Sequence, residues 1–401
     1  MILRLRELSR IALIIAGVIF LVVMPQPFPA HLAKVDFQAY WGASYLLAHS
    51  ENFSDPVRLL EVQQQLAGWD EDTPQMTWNP PWLLMLLLPL TILTFDRASW
   101  IWFLINITLV FTSTLFLWYL YTSQPETRRR IGLGLLMAFL FMPTLTTLLV
   151  GQVSTLVLFG LAGFLYYYEH RRQPFYAGVA LALTTVKPHL VYITVPLILL
   201  EMVRQRRWRT IIGLFMPLLL GVLIAFLLRP TFLGEYFSTV GGGDLLRRTV
   251  PTLGFFLSRI TGWPAIRLMG VVILPIVILL WWQRWRRSSL TMSDLVASTI
   301  LLSVITAPFG WSFDVVVFLA PLVQLLIWMV EGKLDRYRSL AILLLFAAAN
   351  AVALYQRSLQ LRDDYFFWFP IAMACLYLGG WLSLQESRVP VTDKVISERY
   401  G

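Results

Sequence analysis

Apolar residues run along this chain in long blocks separated by short arginine-rich stretches, and the blocks repeat from Ile11 almost to Leu384. A helix needs about 20 apolar residues to cross the hydrocarbon of a bilayer, and in lipid every backbone polar group must find a partner within the element. The blocks therefore predict membrane helices near 11–24, 98–121, 131–149, 153–168, 175–187, 189–201, 210–228, 264–282, 294–307, 312–330, 339–355 and 366–385, about 12 in all. Basic clusters fall between them: Arg4/Arg6/Arg10, Arg128 to Arg130, Arg171/Arg172, Arg204/Arg206/Arg207/Arg209, Arg284/Arg286/Arg287, Lys333/Arg336/Arg338 and Arg388/Lys394/Arg399. Placing all of them in the cytoplasm, as the positive-inside rule asks, puts both termini there. It also requires residues 175–201 to be a hairpin broken at Lys187-Pro188, and Trp78 to Phe95 to dip into the outer leaflet and return, interrupted at Pro89. A full span at 81–95 is the alternative, and would turn Arg128 to Arg130 outward.

Two large loops then face outward, residues 25–80 and 229–263, the second carrying Gly241-Gly242-Gly243. The first holds the acidic Asp36, Glu51, Asp55, Glu61, Asp70, Glu71 and Asp72 against the basic Lys34 and Arg58. It reads as two short amphipathic helices on the membrane surface, Phe37 to Ala48 and one opened by Asp55 as N-cap with Pro56 at the first helical position. The expected organisation is one membrane domain over 1–385, with a re-entrant segment reaching residue 95, and a cytoplasmic tail at 386–401. Arg4, Arg6 and Arg10 precede the first block, and Pro25, Pro27 and Pro29 follow it in place of a small-residue cleavage site, so a retained first span is expected.

Composition supports a multi-pass integral membrane protein. Hydrophobic residues make up 58% and charged ones 14%, with mean hydropathy +0.68, which leaves no room for a soluble catalytic domain between the blocks. The formal charge of +9 sits in the clusters that set topology, so no nucleic-acid partner is expected. The single Cys375 excludes an internal disulfide and a cysteine-based metal site.

Several residues could carry chemistry. Asp36, among aromatics just beyond the first span, is either a general base or an N-cap for the helix that follows. Trp78-Asn79-Pro80-Pro81-Trp82 suits a sugar or lipid headgroup, or is an interfacial aromatic belt. Gln152, after Gly151, contacts substrate or caps a turn. Lys187, in Lys187-Pro188-His189, must either snorkel to water or meet an anion. Asp314, after Trp311, is a helix cap or a second carboxylate of a site that binds acceptor hydroxyls or orients a cation. Asp70-Glu71-Asp72 has the spacing of an acidic metal motif but lies in a polar loop, where solvation explains it. Nucleotide-binding and hydrolase motifs are absent from the sequence.

In order along the chain, Asp36-Phe37-x-x-Tyr40-Trp41, Trp78-Asn79-Pro80-Pro81 with Pro89-Leu90, Gly151-Gln152-Val153-Ser154, Ala177-Gly178 with Lys187-Pro188, and Ala307-Pro308-Phe309-Gly310-Trp311-Ser312 resemble the motifs of glycosyltransferase family 87, in the GT-C superfamily. The resemblance covers roughly residues 35–325. It implies an all-α polytopic GT-C bundle with juxtamembrane helices in the first outer loop, and transfer of a sugar, typically mannose, from a polyprenyl-phosphate donor to a lipid or glycan acceptor on the extracytoplasmic face. It makes Asp36 the catalytic base and Tyr40, Trp78, Asn79, Gln152, Lys187, His189, Arg229, Trp311 and Asp314 the expected substrate contacts, with Arg247 and Arg248 as further cations for the departing phosphate. A phosphate leaving group met by lysine or arginine requires no metal and no cofactor. The expected partners are the donor, the acceptor and membrane lipids, and the expected location is a bacterial plasma membrane. One departure stands out: Phe313 and Asp314 follow Trp311-Ser312, where the family often has histidine. The competing class is a polytopic lipid or solute transporter or flippase. Proton-coupled transporters place acidic relays inside their spans, whereas the spans here hold few charges.

Overall fold

The structure, a computed structural model, describes residues 33–241, 248–285 and 291–388. The expected first span at 11–24, Gly242, Gly243, Arg247, Arg286, Arg287 and the tail beyond 388 lie outside them. Every element among the described residues is helical. Among the described residues, six helices are long and apolar enough to cross a membrane: Phe95–Tyr121, Trp208–Leu228, Pro264–Gln283, Ser312–Val330, Arg336–Ser358 and Asp363–Gln385. Each coincides with one of the expected blocks.

The remaining described blocks differ from simple spans. Residues 131–149 form two helices, Ile131–Leu140 and Met142–Val150, bent by 62°. Pro143 is the local cause, because it has no N–H to donate and its ring clashes with the preceding turn. The blocks at 153–168, 175–187, 189–201 and 294–307 become shorter helices, Ser154–Leu165 with a π turn to His170, Pro174–Ala182, Thr194–Arg204 and Met292–Thr306. The break expected at Lys187-Pro188 is present: a 3-10 turn ends at Val186, Lys187 is non-helical, and a new 3-10 turn runs from Pro188 to Leu190. Pro81–Leu87 continues as a 3-10 turn to Ile92. At about 1.5–2 Å rise per residue this apolar segment is shorter than the hydrocarbon.

The described chain forms two compact units. The first gathers residues up to 108, 148–152 and 224–236. Its centre is the helix Phe37–Ala48, buried on nearly every face, which corrects the amphipathic surface helix expected there. Pro56–Ala67, Pro81–Leu87 and the turn to Ile92 pack around it, and Trp41 donates its indole N–H to the Leu90 carbonyl at 3.1 Å. The helix Pro56–Ala67 starts with the expected cap, Asp55 accepting from the Val57 and Arg58 amides.

The second unit holds residues 109–147, 153–223 and 237 onward. Ser154–Leu165 and Ser312–Val330 form its interior, and the span window of the latter is 89% buried. Arg336–Ser358 is only 11% buried, and its exposed leucines make it a lipid-facing helix. Pro174–Ala182 meets Trp208–Leu228 so closely that a Cβ on Gly178 would lie 2.0 Å from the Thr210 carbonyl oxygen. Small residues at such crossings are how membrane helices gain packing where water supplies no drive.

Candidate active site

Asp36 immediately precedes the helix Phe37–Ala48, yet its side chain makes no capping hydrogen bond, and its backbone is already helical (φ −92°, ψ −26°). The capping role is therefore not the one it plays. Its carboxylate accepts a hydrogen bond from Gln152 Nε2 at 3.0 Å, and Gln152 Oε1 accepts one from the Tyr40 hydroxyl at 2.7 Å. Tyr40 and Gln152 are buried, and Asp36 is half-buried. An ionised carboxylate can only accept, so Asp36 fixes the amide N–H towards itself and leaves the amide oxygen to the Tyr40 hydroxyl. An ionised carboxylate has about four lone-pair sites, and Gln152 fills one of them and orients the group.

Backbone geometry explains why Asp36 and Gln152 come together. Asp36 donates its amide to the Val150 carbonyl and Ala33 donates to that of Leu149, both at 2.8 Å. Gly151 adopts φ +75°, and a Cβ there would lie 2.2 Å from the Ala33 carbonyl oxygen. Only glycine fits both the left-handed backbone and the close approach. Trp102 donates its indole N–H to the Gly151 carbonyl at 2.9 Å, while Phe37 stacks between Phe95 and Trp102. The acid is thus anchored through its own backbone to the turn that supplies its donor.

The other expected residues of this unit are placed differently. Trp78 and Asn79 are half-buried beside the helix opened by Pro81, with Thr77 donating to Asn79 Oδ1 at 3.5 Å. The indole nitrogen of Trp82 is buried with no hydrogen-bond partner among the described residues. Arg229 donates to Glu235 at 2.6 Å and to the Ser50 carbonyl at 2.7 Å, so it ties two segments together.

In the second unit Lys187 does not snorkel. Its ammonium lies 2.7 Å from Asp314 Oδ1, with the two side chains 3% and 0% exposed. Ser154 donates to the same oxygen at 2.6 Å, and the Trp311 amide donates to Asp314 Oδ2 at 2.9 Å. The lysine also faces the Phe313 ring at 4.9 Å and the Trp311 ring at 6.0 Å, a cation–π setting. Asp314 therefore closes the turn and pairs with a buried cation. His189 packs on Phe309 with ring centres 4.4 Å apart, and its Nε2 is buried without a partner among the described residues.

Sequence reasoning missed the support behind Trp311. Asp363 accepts the Ser312 amide at 2.8 Å and its hydroxyl at 2.6 Å, and Arg357 bonds Asp363 at 2.9 Å as well as the Ser312 hydroxyl. Consecutive amides, those of Trp311 and Ser312, are thus each held by a carboxylate. Asp363 carries no local motif that would have flagged it. Ser154 did, as the last residue of the Gly-Gln-x-Ser step. The Arg248 carbonyl accepts from Arg267 at 2.7 Å. Asp70, Glu71 and Asp72 are exposed, and no group of three metal-ligating side chains occurs among the described residues.

The model of glycosyltransferase family 87 matches residues 77–308, more than half of the chain. No curated protein and no solved structure matches it significantly. The match contains Trp78, Asn79, Gln152, Lys187, His189 and Arg229, and leaves Asp36, Tyr40, Trp311 and Asp314 outside it.

Proposed function

Because the chain belongs to glycosyltransferase family 87 and is a membrane glycosyltransferase, we propose that it moves a hexose, mannose in the first instance, from a polyprenyl-phosphate donor to a hydroxyl of a lipid or glycan acceptor on the extracytoplasmic face of a GT-C type bundle. The observation that carries this reading is Asp36: a carboxylate released from helix capping and oriented by Gln152, itself set by Tyr40. In the reaction Asp36 takes the proton from the acceptor hydroxyl as its oxygen bonds to the anomeric carbon. The bond from that carbon to the phosphate oxygen breaks, and polyprenyl phosphate leaves with the electron pair. A base placed this way contributes about 10²–10⁴-fold.

The departing phosphate calls for a cation, and Lys187 is the first residue proposed for it; an incoming phosphate competes with Asp314 for the ammonium. Trp311, half-exposed and held by two carboxylates through its own turn, suits the apolar face of a sugar ring. The unpartnered nitrogen of His189 suits a hydroxyl or phosphate oxygen. The test supplies purified protein in vesicles with radiolabelled polyprenyl-phosphate mannose and a lipid extract. Label appearing in a new lipid or glycan supports the proposal; label that crosses the bilayer unchanged sinks it in favour of a flippase.

A further inference from the structure

One buried carboxylate joins two basic stretches of the second unit. Glu331 follows directly on the helix that ends at Val330. Its side chain, 0% exposed, accepts hydrogen bonds from the Ser123 amide at 2.8 Å, the Ser123 hydroxyl at 2.7 Å and the Gln124 amide at 3.2 Å. Lys333 closes the arrangement at 2.7 Å. Burial pushes the Glu331 carboxyl upward, but the bonds from Lys333 and Ser123 outweigh it and hold the group below the ordinary carboxylate range. The acid is charged and bonded to both stretches.

The consequence is that residues 123–130 are fastened beside 331–338, where six basic side chains accompany only Glu126, Glu331 and Asp335. Asp335 is also engaged, capping the helix Arg336–Ser358 and pairing with Arg338 at 3.2 Å. Arg128, Arg129, Arg130 and Arg336 are exposed and have no acidic partner among the described residues. Tyr337, 84% exposed, stands among them. Apolar helices end at Tyr121 and Val330 and begin at Ile131 and Arg336, so these arginines sit at the level of lipid headgroups. Guanidinium groups match phosphate in shape as well as charge.

We propose that this shelf is a built binding site for the phosphate of an anionic membrane phospholipid, assembled by Glu331 and independent of the sugar-transfer reading. General attraction of a basic face to anionic lipid depends on net charge alone, whereas a built site depends on the two stretches being held together. Detergent-purified full-length protein is titrated with phosphatidylglycerol, and the dissociation constant of the first bound lipid is read by native mass spectrometry. The triple variant R128Q/R129Q/R130Q should weaken that binding by about tenfold or more, from the worth of each surface cation near anionic lipid. Glu331→Gln makes the protein more positive yet weakens the junction, and should also lower the affinity. Unchanged affinity in the triple variant overturns the site, and unchanged or tighter binding by Glu331→Gln reduces it to net charge. If Glu331→Gln fails to fold, judged by its melting curve, R206Q/R207Q/R209Q, which removes the same charge from another exposed cluster, takes its place: affinity near that of wild type supports the site, and a loss equal to that of the triple variant reduces it to net charge.

Discussion

Lys187 and Asp314 show how a residue's surroundings change the meaning of its mutation. Each is buried and each neutralises the other, so removing one leaves an uncompensated charge in a setting of low polarity. Lys187→Met should therefore destabilise the protein by about 3–5 kcal/mol, visible as a lower melting temperature and less folded protein in the membrane. The double variant K187M/D314N, which removes both charges, keeps an acceptor oxygen for the Trp311 amide and turns an N–H to the Ser154 hydroxyl, should recover a substantial part of that loss. A double variant no more stable than Lys187→Met would show that the loss does not come from an uncompensated charge on Asp314. Transfer measured on the stable double variant then reports what the lysine does beyond stability. The residues of both clusters were legible in the sequence by type and motif. Their pairing was not, because Asp36 and Gln152 stand 116 positions apart and Lys187 and Asp314 stand 127 apart, and no local spacing encodes such contacts.

At the scale of elements, the bend between Ile131–Leu140 and Met142–Val150 needs a partner for the backbone it exposes. Phe141 is extended there, so the Met142 amide loses its helical acceptor, and Asn350 Oδ1 takes it at 2.8 Å. Asn350 is one of two buried residues on a helix that otherwise faces lipid, which gives a polar side chain in an apolar helix its reason. Asn350→Leu should cost about 1–3 kcal/mol, the penalty for an unsatisfied buried donor, and should lower the melting temperature measured in detergent. An unchanged melting temperature would mean that the amide finds another partner. Helix ends marked by proline were readable, as at Pro56 and Lys187-Pro188. The bend at Pro143 was hidden because hydropathy runs through it without interruption. The burial of Phe37–Ala48 was hidden for a related reason: Gly42, Ala39 and Ala43 allow close packing on faces that an amphipathic reading assigns to water.

For the whole molecule, six of the expected spans coincide with helices long enough to cross a membrane, and the others are bent, short or outside the described residues. Short helices are what a chain shows where segments enter the bilayer only partway, and hydropathy cannot separate those from full spans because both are apolar. The proposed topology is open to a direct check at Gln65 and Gln205, both exposed. In a background lacking Cys375, a cysteine replacing Gln65 should react in intact cells with an impermeant thiol reagent, and one replacing Gln205 should not; labelling at Gln205 would refute the orientation. The central claim is that this enzyme works through Asp36 as its base, and turnover by the intact protein tests it most directly. Asp36→Asn is nearly isosteric and cannot take up the acceptor proton. With wild type and Asp36→Asn matched for folded protein and melting temperature, sugar transfer from polyprenyl-phosphate mannose should fall by about 10²–10⁴-fold. Transfer that stays within about tenfold of wild type, below the range general-base catalysis supplies, would contradict the assignment.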